Sequence, residues 1–320
     1  VGQIGVSHGH ANKLAVYRKS DDYEVVGVVE PDLEMRSRAE RTPAFQGVNW
    51  LSREELLATP GLQAVLVETP IRDLLANARV CLEAGMHVHL DKPAGESLWD
   101  LQQILDLATQ KKLLVQMGYM YRYNPGVVLL REFLQNGWLG EVFEIHTVMS
   151  KVVGAEDRRE MAEYPGGSMF ELGCHLLDLV IGILGAPLKV TAFPRHSSTS
   201  PDKLLDNMLA VLEYPRATAT VRSSVIEIEG GERRHLTVCG TAGTFHIQPL
   251  DDPSVKVSLS QPRGKYAAGT QLIPLPKYTR YVGDARDMAR IIRGEKTSDF
   301  SASHDLAVQT TVLQASGLQP

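Results

Sequence analysis

Through its first third the chain alternates short apolar runs with stretches of helical period. Residues 1–6, 23–29, 64–67, 87–90 and 113–117 are rich in valine, isoleucine and leucine, as strands covered on both faces are. Between them, residues 11–19, 52–59, 73–84 and 98–109 carry apolar positions at helical spacing, and Gly85 suits the end of the third stretch. Strands alternating with helices predict a parallel sheet with right-handed crossovers, the doubly wound α/β architecture. After residue 125 the rhythm changes. Residues 141–150, 188–194, 207–214, 217–224, 233–239 and 244–248 read as successive strands with turn residues between them, and Tyr214-Pro215-Arg216-Ala217 forms a hairpin turn. Helices are predicted over 124–136, 279–293 and 303–316. The expectation is a Rossmann domain over 1–120, then an α+β domain over 121–320 built on a large, mostly antiparallel sheet.

The first strand leads into Gly5-Val6-Ser7-His8-Gly9-His10 and then a helix. This is the layout of a dinucleotide fingerprint, in which helix N-terminal amides cradle a pyrophosphate. Ser7 stands where the second glycine is usual, and His10 where the third is. The second strand ends at Glu30, 21 positions past Gly9 (30 − 9). An acidic residue about 20 positions on, at a strand end, suits a ribose 2′-hydroxyl. Ligands in such sheets gather at the carboxyl ends of the strands. Those ends are Ser7, Glu30, Thr69, Lys92 and Gly118, so topology alone points Lys92 at the cofactor crevice.

A third feature lies in the second half, in Gly166-Gly167-Ser168-Met169-Phe170-Glu171-Leu172-Gly173-Cys174-His175-Leu176-Leu177-Asp178. The segment opens an apolar run, so it reads as a buried helix carrying three ionisable groups. Glu171, His175 and Asp178 are spaced i, i+4, i+7, which places them on one helical face. A carboxylate one turn before an imidazole can fix its tautomer and raise its basicity, which suits proton transfer. The plainer alternative is an ordinary helix with a capped histidine.

Composition narrows the function classes. The net charge is −5 and charged residues make up 22%, so no basic surface recommends nucleic acid. No apolar stretch reaches the roughly 18 residues a membrane span needs, and no signal-peptide pattern opens the sequence. Cys81, Cys174 and Cys239 are few, odd in number and in apolar contexts, as in a reduced cytoplasmic protein. His8 and His10, like His87 and His89, have the short spacing of metal pairs. The further ligands a zinc site needs are missing at recognisable spacing, so no metal is expected.

Together these residues resemble the Gfo/Idh/MocA oxidoreductases, the family of glucose–fructose oxidoreductase and inositol dehydrogenase. The anchors are the Gly5-to-His10 turn, Glu68-Thr69-Pro70, Asp91-Lys92-Pro93, Gly118-Tyr119-Met120-Tyr121-Arg122-Tyr123-Asn124-Pro125, Leu139-Gly140-Glu141 and the Gly166-to-Asp178 segment. The family usually has Glu where Asp91 stands and Asp where Glu171 stands. Many members have Asn and His at the positions of Ile71 and Leu74.

The resemblance implies a nicotinamide-dependent reaction on a polyhydroxylated small molecule: a sugar, cyclitol or sugar acid. NAD is favoured over NADP. In that reading Gly5, Ser7, His8, Gly9, His10, Glu30, Glu68, Thr69, Pro70, Asp91, Lys92 and Pro93 bind cofactor, and Lys92-Pro93 is a site that is often cis. Lys92 and His175 act at the reacting oxygen, Glu171 orients His175, and Asp178 holds a substrate hydroxyl or braces the helix. Tyr121, Arg122 and Lys151 are substrate candidates; Arg122 and Tyr123 either touch substrate or pack the domain joint. Residues 151–164 form a lid or a plain surface loop. A homodimer or homotetramer through the outer face of the second sheet is expected, with Val211, Val221 and Val238 spread over it. Two other functions fit the same fold: bound NAD used for transient oxidation in a lyase or glycosidase, and a non-catalytic nucleotide sensor.

Overall fold

The computed structural model describes residues 1–7 and 9–320; His8, expected in the phosphate loop, lies outside the described residues. The chain forms two compact units, Val1–Tyr119 with Tyr281–Ala302, and Met120–Arg280 with Ser303–Pro320.

In the first unit β1 (Gly2–Ile4), β2 (Gly27–Val29), β3 (Ala64–Val67), β4 (His87–Leu90) and β5 (Val115–Met117) form a parallel sheet in the order β2-β1-β3-β4-β5. The order reverses between β1 and β3, and the carboxyl ends at such a switch point are where open α/β sheets bind ligands. A 3₁₀ turn, Gly9–Lys13, runs into α1 (Leu14–Tyr17). There follow α2 (Leu33–Ala39), α3 (Arg53–Leu57), α4 (Ile71–Glu83) and α5 (Leu98–Lys111). Their starts are written in the sequence. Asp32 accepts from the amides of Glu34 and Met35, Ser52 and Glu55 form a capping box, and Ser97 accepts from Asp100.

Two sequence expectations are corrected here. The second strand begins at Gly27 rather than residue 23, and Tyr23, ahead of it, donates its hydroxyl to the Ala285 carbonyl at 2.6 Å. Residues 281–302 belong to the first unit rather than the second. The helix Val282–Ile292 places Ala285 and Met288 in one core with Ala11, Leu14, Tyr17, Val28 and Leu66. Burial of that apolar face outweighs proximity in sequence.

The second unit is built on an eight-stranded sheet. Its strands are β6 (Val142–Ser150), β7 (Lys189–Arg195), β8 (Asn207–Glu213), β9 (Thr218–Ser224), β10 (His235–Gly240), β11 (Gly243–Ile247), β12 (Val255–Leu259) and β13 (Gly269–Ile273). The order is β13-β12-β11-β10-β6-β9-β8-β7, with only β6–β9 parallel among its neighbour pairs. β12 and β13 extend the sheet beyond the strands expected from sequence. On the helical side, α6 (Pro125–Gln135) starts at Asn124, whose side chain accepts from the amides of Gly126 and Val127. The charged α7 (Ala155–Ala162) comes next, so that half of the 151–164 segment is a helix rather than a loop. Then α8 (Cys174–Leu184) packs on β6 and β9.

Strand alternation decides which valines face outward. Val221 pairs with Ala210, and both are fully buried, as is Val238. Of the three valines expected on the outer face only Val211 lies there, half-buried opposite Thr220. Much of that face is threonine and histidine, including Thr220, Thr237, His146 and His246.

Candidate active site

The glycine turn of the first unit is shaped by backbone contact. Gly5 has φ +92°, and a Cβ there would sit 2.6 Å from the carbonyl of Glu68. Only glycine allows the end of β1 to lie this close to the end of β3. Ser7 Oγ donates to the Glu68 carbonyl at 3.4 Å, on the same seam. Gly9 differs: a Cβ there would meet nothing within 4 Å among the described residues. Glu30 accepts from the amides of Val6 (3.1 Å) and Asp32 (3.0 Å), which fixes its carboxylate at the end of β2. Thr69 ends β3 with a buried Oγ1 that has no hydrogen-bond partner among the described residues. Pro70 caps the start of α4. The Lys92–Pro93 peptide is cis.

Behind this rim lies a buried ionic network. Lys13, 1% exposed, places Nζ 2.9 Å from Glu68 Oε1, 3.3 Å from Asp91 Oδ1 and 3.0 Å from His89 Nε2. Asp91 also meets His10 Nδ1 at 3.2 Å. Since an ammonium can only donate, His89 Nε2 accepts, and its Nδ1–H donates to Gln116 Oε1 at 2.9 Å. His89 is therefore neutral, with the proton on Nδ1. Burial, helped by the charge of Asp91, pushes the Glu68 carboxyl up to about 8 against the pull of Lys13 and Lys92. Burial alone would lower Lys13, but Glu68 and Asp91 raise it above its usual range, so it remains an ammonium. Lys92 follows Asp91 at the end of β4 and is itself 2% exposed.

In the second unit, α8 is preceded by a π-helical turn, Met169–Gly173. Glu171 sits within this wider turn, so the simple i, i+4 register assumed from sequence is interrupted between Glu171 and His175. His175 and Asp178 share the regular α8 and are buried, whereas Glu171 is half-buried. Glu171 lies in the field of the acidic α7: Glu160 there is raised by burial first, and also by Asp157, Glu156, Glu163 and Glu171. The His175 ring meets the Tyr121 ring edge-on at 5.7 Å. Tyr121 Oη donates to Asp251 Oδ1 at 2.7 Å, and Asp251 pairs with Arg234 and Arg280.

Asp178 belongs to a buried cluster. Arg122 Nε lies 3.1 Å from both of its oxygens, and the Arg122 terminal nitrogen is 2.6 Å from Asp178 Oδ1 and 2.6 Å from Asp305 Oδ1. His304 Nε2 is 3.0 Å from the same Asp178 oxygen. Despite burial, Arg122 and His304 hold the Asp178 carboxyl below its usual range, while burial pushes Asp305 up. Asp178, His304 and Asp305 have the mutual spacing of a metal site, with ligand atoms within 4.8 Å. The guanidinium of Arg122 supplies the positive charge there. Within the second unit Arg122 thus ties Asp178 on α8 to Asp305. Lys151 is half-buried just past β6, and its amide donates to the Ser224 carbonyl.

Lys13, His304 and Asp305 carry much of this geometry and were not singled out in the sequence. Lys13 had a signal: it lies four residues before Tyr17, on the buried side of a helix entering a phosphate turn. His304-Asp305 had none, since two polar residues opening a helix normally face water.

Residues 1–119 match the family model described as an oxidoreductase family with an NAD-binding Rossmann fold, and residues 127–246 match the GFO/IDH/MocA C-terminal domain. The chain belongs to the Gfo/Idh/MocA family. It is 27% identical over 220 residues to an uncharacterized oxidoreductase of Schizosaccharomyces pombe, covering 66% of this chain but only 58% of that relative. It is 25% identical to a D-xylose 1-dehydrogenase (NADP⁺) of Haloferax volcanii, over 92% of this chain and 89% of the other. Among solved structures, GenD2 from gentamicin A biosynthesis, in complex with NAD, superposes with a TM-score of 0.80 at 21% identity. That match covers 98% of this chain and 91% of the other. Membership accounts for the two-sheet architecture. Among the described residues no helix is long and apolar enough to cross a membrane.

Proposed function

We propose that the protein transfers hydride between a nicotinamide dinucleotide and a secondary alcohol or carbonyl of a sugar, cyclitol or sugar acid. The observation that carries this is Lys92, a buried lysine at the carboxyl end of β4 in a family Rossmann unit. The rim fits a dinucleotide. The glycine turn that opens the 3₁₀ element suits a pyrophosphate, the fixed Glu30 carboxylate suits a ribose diol, and the buried Thr69 hydroxyl has no hydrogen-bond partner among the described residues. Bound there, the cofactor supplies the hydride acceptor. The chain supplies the rest. Lys92 donates a hydrogen bond to the reacting oxygen and stabilises the negative charge that develops on it. His175 accepts the hydroxyl proton, with Glu171 biasing its charge and Asp178 anchoring its helix. A nicotinamide absorbance assay over a panel of polyols, cyclitols and sugar acids tests this. Net cofactor reduction supports the reading, whereas product without net reduction supports transient oxidation and overturns it.

NAD is the cofactor this reading favours, although the Haloferax relative's name specifies NADP⁺. The Glu30 carboxylate accepts from a free 2′-hydroxyl and repels a 2′-phosphate. Wild type should bind NAD more tightly, and Glu30→Ala should lose most of that preference in fluorescence titrations. Equal dissociation constants in the wild type would remove the assignment.

A second copy of the chain is proposed to cover the outer face of the large sheet, where Phe193, Leu209 and Val211 adjoin on β7 and β8. Light scattering at micromolar concentration should report a dimer or tetramer. A monomer would refute it.

A further inference from the structure

We propose that Asp251 is a positioning residue for His175, acting through Tyr121: the carboxylate holds the tyrosine hydroxyl, and the tyrosine ring holds the imidazole. The inference rests on the proton-accepting role given to His175 above. Tyr121 lies in the 3₁₀ turn Met120–Tyr123, is 1% exposed, and sets its ring edge-on to that of His175 with centroids 5.7 Å apart. Its hydroxyl donates to Asp251 Oδ1 at 2.7 Å. A carboxylate paired with two arginines only accepts, so this bond has one sense, and where Asp251 stands sets where the phenol points.

Asp251 is itself fixed from several directions. Arg234 Nη1 donates to its Oδ2 at 2.7 Å, while Arg234 Nε donates to the Ser150 carbonyl at the end of β6 at 3.0 Å. Arg280 lies 2.6 Å from Asp251 Oδ1. The preceding residue is pinned as well. The Leu250 amide donates to the Arg234 carbonyl at 3.0 Å, and the Leu250 carbonyl accepts from Asn124 Nδ2 at 2.7 Å. The turn that carries Tyr121 is held by Tyr278, whose hydroxyl donates to the Met120 carbonyl at 2.8 Å. A phenol this buried that swings away from Asp251 leaves its hydroxyl without that partner, so the ring stays where it meets His175. Phenylalanine would fill the same space with no polar tip to fix its orientation.

The test is NMR of ¹⁵N-labelled histidine rings, with the His175 signals assigned by their loss in His175→Ala, alongside steady-state kinetics. In Tyr121→Phe and in Asp251→Ala the His175 signals should shift or broaden, while those of His87 and His89 in the first unit stay in place. The kcat of each should fall roughly 10- to 100-fold, the scale of loss when a catalytic group is misplaced by about an ångström, with little change in KM or cofactor affinity. The double variant separates positioning from general support. If Asp251 acts through the phenol, Tyr121→Phe/Asp251→Ala is no slower than the slower single variant, whereas two independent structural losses multiply. Tyr121→Phe removes only the hydroxyl and carries the test should Asp251→Ala fail to fold. Unmoved His175 signals in Tyr121→Phe would overturn the proposal. So would multiplying losses, or an unchanged kcat in both single variants when His175→Ala is slow. If His175→Ala instead kept full turnover, the hydride-transfer reading would fall while the NMR coupling of Asp251 to His175 stood.

Discussion

Lys92→Ala and His175→Ala each lower turnover by roughly two to four orders of magnitude, while the cofactor dissociation constant stays near its wild-type value. The reason lies in what each group touches. In the proposed reaction Lys92 and His175 act on an oxygen whose charge and proton change, so their interactions would be strongest in the transition state. In the same reading the dinucleotide is held by other parts of the chain, the glycine turn after β1 and the carboxylate of Glu30. A fall in kcat with little change in cofactor affinity, measured by steady-state kinetics and cofactor fluorescence, is the expected signature. Lys92→Ala also removes a buried charge that acts on Glu68, so a thermal melt should accompany it. Near-wild-type turnover in both variants, on a substrate the wild type oxidises, would remove both residues from the chemistry.

Arg122→Met costs about 3–5 kcal/mol of stability, the usual result of removing one partner from a buried ion cluster. Arg122 is 2% exposed and is the cation shared by Asp178 and Asp305, which are themselves nearly inaccessible. Removing it leaves two acidic groups in a low-dielectric interior without their guanidinium, with His304 still beside Asp178. Arg122→Lys should recover only part of the loss, because a single ammonium cannot reproduce the forked geometry on both acids. Urea unfolding of the three proteins measures this. A loss below about 1 kcal/mol, typical of an exposed pair, would show that the cluster does not hold α8.

The first unit was legible because both faces of a parallel sheet are covered, which writes its strands as continuous apolar runs. Residues 64–67 and 87–90 are strands at those same bounds in the structure. Capping residues Ser52 and Asn124 marked their helix starts equally well. The second sheet was harder. The alternation Val255-Lys256-Val257-Ser258-Leu259 buries every second residue and was present to be read. β13 had no such signal, since none of its residues is buried. The candidate site divides in the same way. Gly5, Glu30, Thr69 and Lys92 were legible because topology sends strand ends to the ligand side. The partners of Asp178 and Asp91 were not, because His304 lies 126 positions after Asp178 (304 − 178) and Lys13 lies 78 before Asp91 (91 − 13). Register on α8 failed as a guide for a local reason, the π-helical turn that a 3.6-residue period does not anticipate.

The helix Val282–Ile292 gives the first unit an unusual birth order. Its five strands leave the ribosome early, yet Gln116 Nε2 bonds the Asp284 carbonyl and Tyr23 Oη the Ala285 carbonyl. Every strand of the second sheet is synthesised before those two carbonyls exist. The nascent nucleotide-binding half therefore spends most of translation with Leu14, Tyr17 and Val28 lacking Ala285 and Met288. Its last core residues arrive only after every strand of the other half is made.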